Sequence, residues 1–291
     1  MKLFQYRKEG RCLLGMQTAA GMIDVAATVE KANKDLPKTM EALIAYTGDR
    51  EALGQAYEAL APVCIEDDPS FAPVVSAPQK ILCIGLNYTD HINETGLESR
   101  PGFPPVFCKY ANALTAHKEA IHLPAGGSQF DYEAELVIVM GKRAKNVRTE
   151  EALSYVFGYA CGNDFSCRDF QFSSTQWTLG KTCDGFAPVG PYVVTAEAVD
   201  PNRPNIASYV NGERRQNSNT AYMIYSCAEI ISYLSRFVTL MPGDLIYTGT
   251  PSGVILGMPK DQQVWLKPGD HVEVEIEGLG KLNNPLLAPT V

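Results

Sequence analysis

The feature that most constrains the fold is the segment Asp131–Gly141, in which acidic residues lead into an apolar run. The run Leu136–Met140 predicts a buried strand that ends at Gly141. Side chains alternate between the two faces of a strand, so Glu133 and Glu135 point to the same face. Carboxylates this close repel unless a cation lies between them, and hard divalent cations prefer oxygen ligands. The segment therefore indicates a metal site; the alternative is a solvated edge strand protected by acidic side chains.

A third carboxylate, Asp164, follows another predicted strand that ends near Gly162. Three carboxylates leave coordination positions open for water and substrate oxygens, as expected for Mg²⁺ or Mn²⁺. If a helix begins here, Arg168 lies beside Asp164, because residues four apart share a helix face. The alternative role for Asp164 is an ordinary helix N-cap. The histidines and thiols show no spacing typical of a zinc site.

A histidine and a glutamate three residues apart, His91 and Glu94, form a second constellation. One helical turn brings such a pair together, and a carboxylate bonded to imidazole raises its basicity. The pair therefore predicts a general base that activates water. The alternative is a surface ion pair. The glycine- and proline-rich run Gly96–Pro105 after it predicts a mobile lid.

Cations and a hydroxyl-rich turn supply candidate substrate contacts. Arg168 and Lys181, the latter after a strand-like segment, are positioned in the sequence to grip a substrate carboxylate. Each of them is, alternatively, a surface charge. The turn Thr248–Gly253 follows an apolar strand and exposes hydroxyl and backbone N–H groups to an oxyanion or carboxylate. The alternative is an ordinary glycine–proline turn.

Secondary-structure signals divide the chain near residue 75, where a proline-rich acidic stretch indicates a linker. Predicted strands lie at 2–7, 12–28, 80–85, 106–109, 133–140, 191–195, 207–210, 244–248 and 271–276. Helical spacing lies at 38–60, where Gly48 and Asp49 break it, and at 150–157 and 222–237. We expect a small N-terminal α/β domain over 1–75 and a strand-rich α+β catalytic domain over 76–291.

The composition restricts the kinds of binding partner and the cellular compartments that we expect for this chain. The 291 residues carry a formal net charge of −8, which argues against nucleic acid as the main partner. The N-terminus lacks a signal-peptide pattern and no apolar run approaches the length of a membrane span. The eight cysteines are scattered singly, which predicts buried thiols in a reducing compartment. We expect a cytoplasmic protein without a membrane partner, and a mitochondrial location stays open.

Taken together, these segments resemble the fumarylacetoacetate hydrolase superfamily, over roughly residues 79–287. No single segment is specific, but their fixed order is. The matching segments are Gly85-x-Asn87-Tyr88-x-x-His91-x-x-Glu94, Phe107-x-Lys109, Asp131-Tyr132-Glu133-x-Glu135, Asn163-Asp164-x-Ser166-x-Arg168-Asp169, Lys181, Gly190-Pro191, Asn211-Gly212-Glu213, Pro242-Gly243-Asp244 and Thr248-Gly249-Thr250-Pro251-x-Gly253-Val254. The N-terminal part is similar to the leading domain of the shorter members, the acylpyruvases and the oxaloacetate decarboxylases or tautomerases.

The resemblance implies a mixed β-roll core, a homodimer, and a role for each matched position. The implied metal ligands are Glu133, Glu135 and Asp164, holding Mg²⁺ or alternatively Mn²⁺ or Ca²⁺. The implied catalytic residues are His91 and Glu94 on the lid, together with Lys181. The implied substrate contacts are Tyr88, Arg168, Gln171, Lys181, Gly249 and Thr250.

Three functions follow from this reasoning. The first is metal-dependent hydrolysis of a carbon–carbon bond in a β-diketone or acylpyruvate, through a metal-bound enolate attacked by water that His91 and Glu94 activate. The second is oxaloacetate decarboxylation or keto–enol tautomerisation, which needs the same enolate but no water. The third is a catalytically silent, metal-stabilised binding protein.

Overall fold

The computed structural model describes residues 1–66, 68–94 and 102–290. Its strands in chain order are β1 (Lys2–Lys8), β2 (Arg11–Thr18), β3 (Gly21–Asp24), β4 (Ser70–Ala72), β5 (Ile81–Ile84), β6 (Val106–Lys109), β7 (Leu114–Thr115), β8 (Ile121–His122), β9 (Phe130–Asp131), β10 (Ala134–Met140), β11 (Val156–Asn163), β12 (Ser166–Cys167), β13 (Ala187–Thr195), β14 (Asn205–Val210), β15 (Glu213–Asn219), β16 (Leu245–Tyr247), β17 (His271–Ile276) and β18 (Gly280–Leu287). Its α-helices are α1 (Val25–Lys31), α2 (Met40–Ile44), α3 (Arg50–Glu58), α4 (Thr89–Glu94), α5 (Thr149–Ala152), α6 (Arg168–Gln171), α7 (Thr178–Lys181) and α8 (Cys227–Phe237).

The main sheet contains strands from the N-terminal part and from the middle of the chain. Its strands follow the order β3-β2-β1-β13-β11-β10-β16-β5-β6, with β4 beside β1 and β7 beside β13. A second sheet has the order β15-β14-β17-β18-β8, and β9 pairs with β12 separately. Helices flank these mixed sheets, so the α+β prediction is confirmed.

Strand β10 occupies the interior of the main sheet, which explains its apolar sequence. All its residues are buried, as are those of its antiparallel partner β11. Ala134 lies opposite Asn163, and Glu135 lies opposite Gly162. The regular strand begins at Ala134, so Glu133 lies just before it. This register brings the Glu133–Glu135 segment next to the end of β11, where Asp164 follows.

Helix α8 covers one face of the main sheet. Ser226 and Glu229 form a capping box at its start, which satisfies backbone N–H groups that lack a helical partner. Its buried residues Ile230, Ile231 and Leu234 pack into a core cluster with residues of β10 and β11. Most of the predicted helix at 222–237 is confirmed, but residues before the cap are not α-helical.

The N-terminal part continues the main sheet, because β1 pairs antiparallel with β13. The predicted strand at 12–28 is wrong over its last residues, which form α1 with Asp24 as N-cap. The predicted helical stretch at 38–60 divides into α2 and α3. The predicted helix at 150–157 ends early, since β11 already begins at Val156. The boundary near residue 75 stays a prediction.

Two further expectations concern the thiols and membranes. All eight cysteines lie in the described part of the chain and are free. Cys83, Cys161, Cys167 and Cys227 are buried, but Cys12, Cys64 and Cys108 are exposed, so the prediction of buried thiols is wrong for those three. Among the described helices, none has the length and apolar character needed to cross a bilayer.

Candidate active site

Three carboxylates form a buried cluster where β10 and β11 meet. One oxygen from each of Glu133, Glu135 and Asp164 lies within 4.8 Å of the others. The Asp164 N–H donates to the Glu133 carbonyl (2.9 Å), and the Glu133 N–H donates to Oδ1 of Asn163 (2.9 Å). The burial of both glutamates excludes a solvated edge strand. Asp164 is not a helix N-cap, because Cys167 occupies that position before α6.

Two buried lysines pair with this cluster. Lys181 Nζ donates to Glu133 (2.7 Å) and to Asp164 (2.8 Å). Lys109 Nζ lies 2.6 Å from the other carboxylate oxygen of Asp164 and also donates to backbone carbonyls. Lys181 lies on the short helix α7, so the strand expected before it is wrong. Neither lysine is a surface charge.

The buried guanidinium of Arg168 joins Glu133 to a fourth carboxylate, Asp131. Its Nη2 lies 2.7 Å from Glu133 and 2.8 Å from Asp131. Its Nη1 donates to Oε1 of Gln171 (2.9 Å). The predicted contact between Arg168 and Asp164 is wrong, because α6 begins at Arg168 and no helical turn joins the two residues.

The cluster contains more carboxyl groups than basic side chains. Its buried ionisable groups are four carboxylates and three cations, namely Asp131, Glu133, Glu135, Asp164, Lys109, Lys181 and Arg168. Burial raises the pKa of Glu135 well above its usual range, and the carboxylates of Asp164 and Glu133 raise it further. Burial also acts to raise the pKa of Glu133, but Lys181 and Arg168 outweigh it and lower that pKa.

This donor set fits a hard divalent cation. Three buried carboxylates offer oxygen ligands, and one of them, Glu135, has no cationic side chain bonded to it in the described structure. A divalent ion would offset the negative charge of these carboxylates, and its own positive charge would favour an anionic substrate. Mg²⁺, Mn²⁺ and Ca²⁺ all prefer oxygen ligands of this kind.

The predicted His91–Glu94 dyad forms on α4. Nδ1 of His91 lies 2.7 Å from Oε1 of Glu94, while the other carboxylate oxygen accepts from the Gly253 N–H (2.9 Å). His91 is only 7% exposed, so the dyad is not a surface ion pair. Because Nδ1 is engaged, Nε2 is the nitrogen left for other partners.

One cavity of about 440 Å³ brings most of the candidate residues together. The predicted residues among those that line it are His91, Glu94, Glu133, Glu135, Arg168, Gln171, Lys181 and Thr250. Asp164 lies behind them, in contact with both buried lysines. The Thr250 hydroxyl is already committed, since it donates to the Ala134 carbonyl (2.9 Å) and accepts from Gln216 (2.8 Å).

Two predicted substrate contacts lie outside the cavity lining. The Tyr88 side chain is buried elsewhere, beside a separate depression with Thr89 and Tyr222. The Gly249 N–H donates to Glu135 (2.7 Å), which makes it a partner of a candidate metal ligand. Gly249 has a φ of 97°, and a Cβ there would lie 2.6 Å from Asn87, so only glycine suits this close approach.

Sequence reasoning assigned no role to several residues that the site uses. Lys109 ends an apolar strand, and a charged residue there is a signal for a buried ion pair. Asp131 was part of the quoted motif, but its link to Arg168 depends on a contact across the fold. Phe107 and Trp177 line the cavity without any distinctive spacing. Most of the predicted lid, Gly96–Pro105, lies outside the described residues.

Comparison with known proteins shows the family of this chain. The family model for the fumarylacetoacetate (FAA) hydrolase C-terminal domain matches residues 80–287. The chain belongs to the fumarylacetoacetate hydrolase family. Oxaloacetate tautomerase FAHD2B, mitochondrial, from Bos taurus is 39% identical over 280 residues, which cover 94% of this chain and 87% of the relative. The fumarylacetoacetate hydrolase domain-containing protein 2 homolog of Dictyostelium discoideum is 46% identical over 76% of this chain and 74% of its own.

Solved structures of the family extend the similarity to the whole fold. The fumarylacetoacetate hydrolase of psychrophilic Exiguobacterium antarcticum is 33% identical, with a TM-score of 0.85 over 99% of both chains. The maleylpyruvate hydrolase of Sphingobium sp. SYK-6 is 29% identical, with a TM-score of 0.79 over 99% of this chain and 100% of its own. The chain is therefore a member of an enzyme family whose relatives act on small keto acids.

Proposed function

We propose that this protein interconverts the keto and enol forms of a small 2-oxo acid such as oxaloacetate. Glu133, Glu135 and Asp164 would hold a divalent metal ion, with Mg²⁺ as the first candidate. The observation that carries the proposal is the buried carboxylate cluster in the same cavity as the His91–Glu94 dyad. The names of the bovine relatives also support it over hydrolysis, which the sequence alone favoured.

Keto–enol exchange needs a group that removes and returns a proton on the carbon beside the carbonyl. The imidazole of His91 suits this role, because Glu94 holds Nδ1 and orients Nε2. When bound, the divalent ion would supply Lewis-acid polarisation of the 2-oxo carbonyl.

The chain's own cations and polar groups would bind the acid. Arg168 and Lys181 line the cavity and offer positive charge to a carboxylate, and the Gln171 amide lies beside Arg168. Arg168 and Lys181 each keep a bond to Glu133, so their side chains are held in place before substrate arrives. Such preorganisation reduces the entropy lost on binding.

Decay of the enol absorbance of oxaloacetate, followed with Mg²⁺ and after EDTA, tests the proposal. We expect enzyme-dependent decay that His91→Gln slows roughly 100-fold or more, since general acid–base catalysis contributes on that order. Glu133→Gln should remove the response to Mg²⁺. Surface variant Glu30→Gln, outside the cavity, is the matched control and should keep the wild-type rate. Equal rates in wild type and His91→Gln would refute the role of the dyad.

Hydrolysis of acylpyruvates is the second candidate. A histidine oriented by a carboxylate also suits activation of water, and the similar Exiguobacterium protein is named a hydrolase. Product analysis separates the reactions. Release of acetate and pyruvate from acetylpyruvate indicates hydrolysis, and release of pyruvate and CO₂ from oxaloacetate indicates decarboxylation. Binding without turnover of any of these compounds would favour the silent binding protein.

We also propose a homodimer, as expected for a member of this family. Light scattering should then give about twice the 31.8 kDa of one chain.

The compartment is a separate proposal, because the bovine relatives are named as mitochondrial whereas the sequence led us to expect the cytoplasm. Fractionation of cells that express the untagged protein distinguishes the two.

A further inference from the structure

The cavity has an aromatic side that the proposed chemistry on oxaloacetate does not use. We infer that the preferred substrate is a 2-oxo acid with a hydrocarbon chain of several carbons opposite its carboxylate. This inference rests on the proposed function for the head of the substrate, the 2-oxo acid group. It adds a binding surface for the tail, formed by Phe107, Phe172 and Trp177, which we call the aromatic wall.

The charged side chains that line the cavity fall into two bonded groups. Lys181 and Arg168 both contact Glu133, and Glu133 shares the carboxylate cluster with Glu135. His91 and Glu94 bond to each other. Among the described residues that line the cavity, no other side chain is charged. A second substrate carboxylate directed away from these two groups therefore finds no cationic partner among the described lining residues.

The aromatic wall begins beside Lys181, which belongs to the first of these groups. Lys181 Nζ lies 5.2 Å from the centre of the Phe107 ring. The Trp177 ring packs edge-on against Phe107, with centroids 5.5 Å apart and an angle of 69°. Ring contact thus continues from the ammonium group that pairs with Glu133 and Asp164 to Trp177. A substrate whose carboxylate sits near Lys181 would place its tail along these rings.

Local packing holds the wall in position. A Cβ on Gly85 would lie 3.0 Å from the Trp177 ring, so the missing side chain makes room for the indole. Phe172 is 55% exposed although it is a large aromatic residue at the cavity. An apolar tail would cover this ring and remove both surfaces from water, which is favourable.

Size and charge favour a monocarboxylic 2-oxo acid with an alkyl tail over oxaloacetate as the ligand of this cavity. Oxaloacetate is a four-carbon diacid with a carboxylate at each end, and an unpaired carboxylate against aromatic rings loses its hydration without compensation. A cavity of about 440 Å³ is within the range that encloses ligands much larger than a four-carbon acid. A monocarboxylic 2-oxo acid with an alkyl tail satisfies both sides of the cavity.

Calorimetry with Mg²⁺-loaded protein and three straight-chain acids tests this inference: 2-oxobutanoate, 2-oxohexanoate and 2-oxooctanoate. We expect affinity to rise roughly threefold for each added methylene, close to the value for transfer of a methylene out of water. An affinity that does not change with chain length, or no binding of 2-oxooctanoate, overturns the inference.

Variants of the aromatic wall test whether its rings cause the dependence of affinity on chain length. Trp177→Ala should reduce the ratio of the 2-oxooctanoate affinity to the 2-oxobutanoate affinity about tenfold. The chain has two tryptophans, and the other, Trp265, lies beside a different depression. Trp265→Phe is therefore the matched control and should keep the ratio. If Trp177→Ala does not fold, Phe172→Ser at the half-exposed end of the wall replaces it. A wild-type ratio in the wall variant contradicts the inference.

Failure of the inference and failure of the proposed function give different results. Calorimetry measures affinity whether or not the bound acid is turned over. Chain-length-dependent binding without keto–enol activity supports the wall and refutes the proposed reaction. Oxaloacetate turnover with chain-length-independent binding refutes the wall and leaves the reaction in place.

Discussion

At the scale of single residues, Asp131 connects Arg168 to the turn at residues 255–257. Its Oδ2 accepts from Arg168 Nε (3.0 Å) and from the Leu256 N–H (3.0 Å). Its Oδ1 accepts from the Ile255 N–H (2.9 Å). Asp131 is fully buried, so these bonds are made without competition from water. We therefore propose that Asp131 is a positioning residue, which acts through Arg168 and the 255–257 turn.

Asp131→Asn tests this positioning role. The substitution places an amide nitrogen opposite N–H donors and removes a buried negative charge beside Arg168. We therefore expect a loss on the order of 3 kcal/mol in unfolding free energy. KM for the keto acid should rise more than tenfold with a smaller change in kcat, because Arg168 loses its orientation. Urea unfolding and steady-state kinetics measure the two effects.

Asp184→Asn is the control for that experiment. Asp184 is exposed and bonds to the side chain of Asn112. Its substitution should cost less than about 1 kcal/mol and leave KM unchanged. If KM in Asp131→Asn equals the wild-type value, Asp131 serves stability alone.

At the scale of elements, the short helix α4 depends on the segment after β16 for its position. Asn87, just before the helix, donates to the Thr248 carbonyl (2.7 Å). Glu94, at its end, accepts from the Gly253 N–H and packs against Gly257. A helix this short is marginal on its own, so these tertiary contacts hold the dyad.

Gly257→Ala should displace the dyad while leaving the fold intact. A Cβ at Gly257 would lie 2.5 Å from Cδ of Glu94, and the backbone there has no positive φ that only glycine favours. The flexible Glu94 side chain must move, so we expect kcat to fall at least tenfold with a change in stability below about 1 kcal/mol. Gly54→Ala on helix α3, where a Cβ would meet only the flexible Met1 side chain and which lies outside the cavity, is the control. Wild-type kcat in Gly257→Ala would mean that the dyad tolerates displacement.

At the scale of the whole molecule, His117 contacts residues from both ends of the sequence, Phe71 and Asn283. Its ring packs edge-on against Phe71, with centroids 4.8 Å apart. Its Nδ1 accepts from the Asn283 N–H (3.1 Å), which requires an unprotonated nitrogen. Burial lowers the pKa of His117 to about 4, and the neighbouring Lys118 contributes to the shift, while Asp68 opposes it.

The stability of the whole fold should therefore fall in mild acid. The folded pKa lies below the ordinary value of about 6.5, so the unfolded chain binds the proton more readily. Stability is full above about pH 6.5 and is lost as pH falls toward 4, by on the order of 2 kcal/mol. Urea unfolding at several pH values measures this loss. His117→Asn keeps an acceptor without titrating, and the same acid slope in that variant would assign the loss to other groups.

The chain alone determined those features that depend on residues near one another in sequence. Alternation along a strand placed Glu133 and Glu135 on one face, and a single helical turn joined His91 to Glu94. Apolar runs located most strands, including β6 and β17, whose bounds agree with the prediction. Backbone geometry sets these spacings, so local sequence is sufficient to predict them.

Only the tertiary structure decided which groups neutralise and surround the carboxylates. Arg168 was expected beside Asp164 but pairs with Asp131 and Glu133, and Lys109 reaches Asp164 from a distant strand. The aromatic wall likewise joins residues without common spacing. These contacts depend on strand order, register and burial across the sheet, and a buried charge takes whichever partner the fold brings within reach. Local periodicity carries no information on that choice.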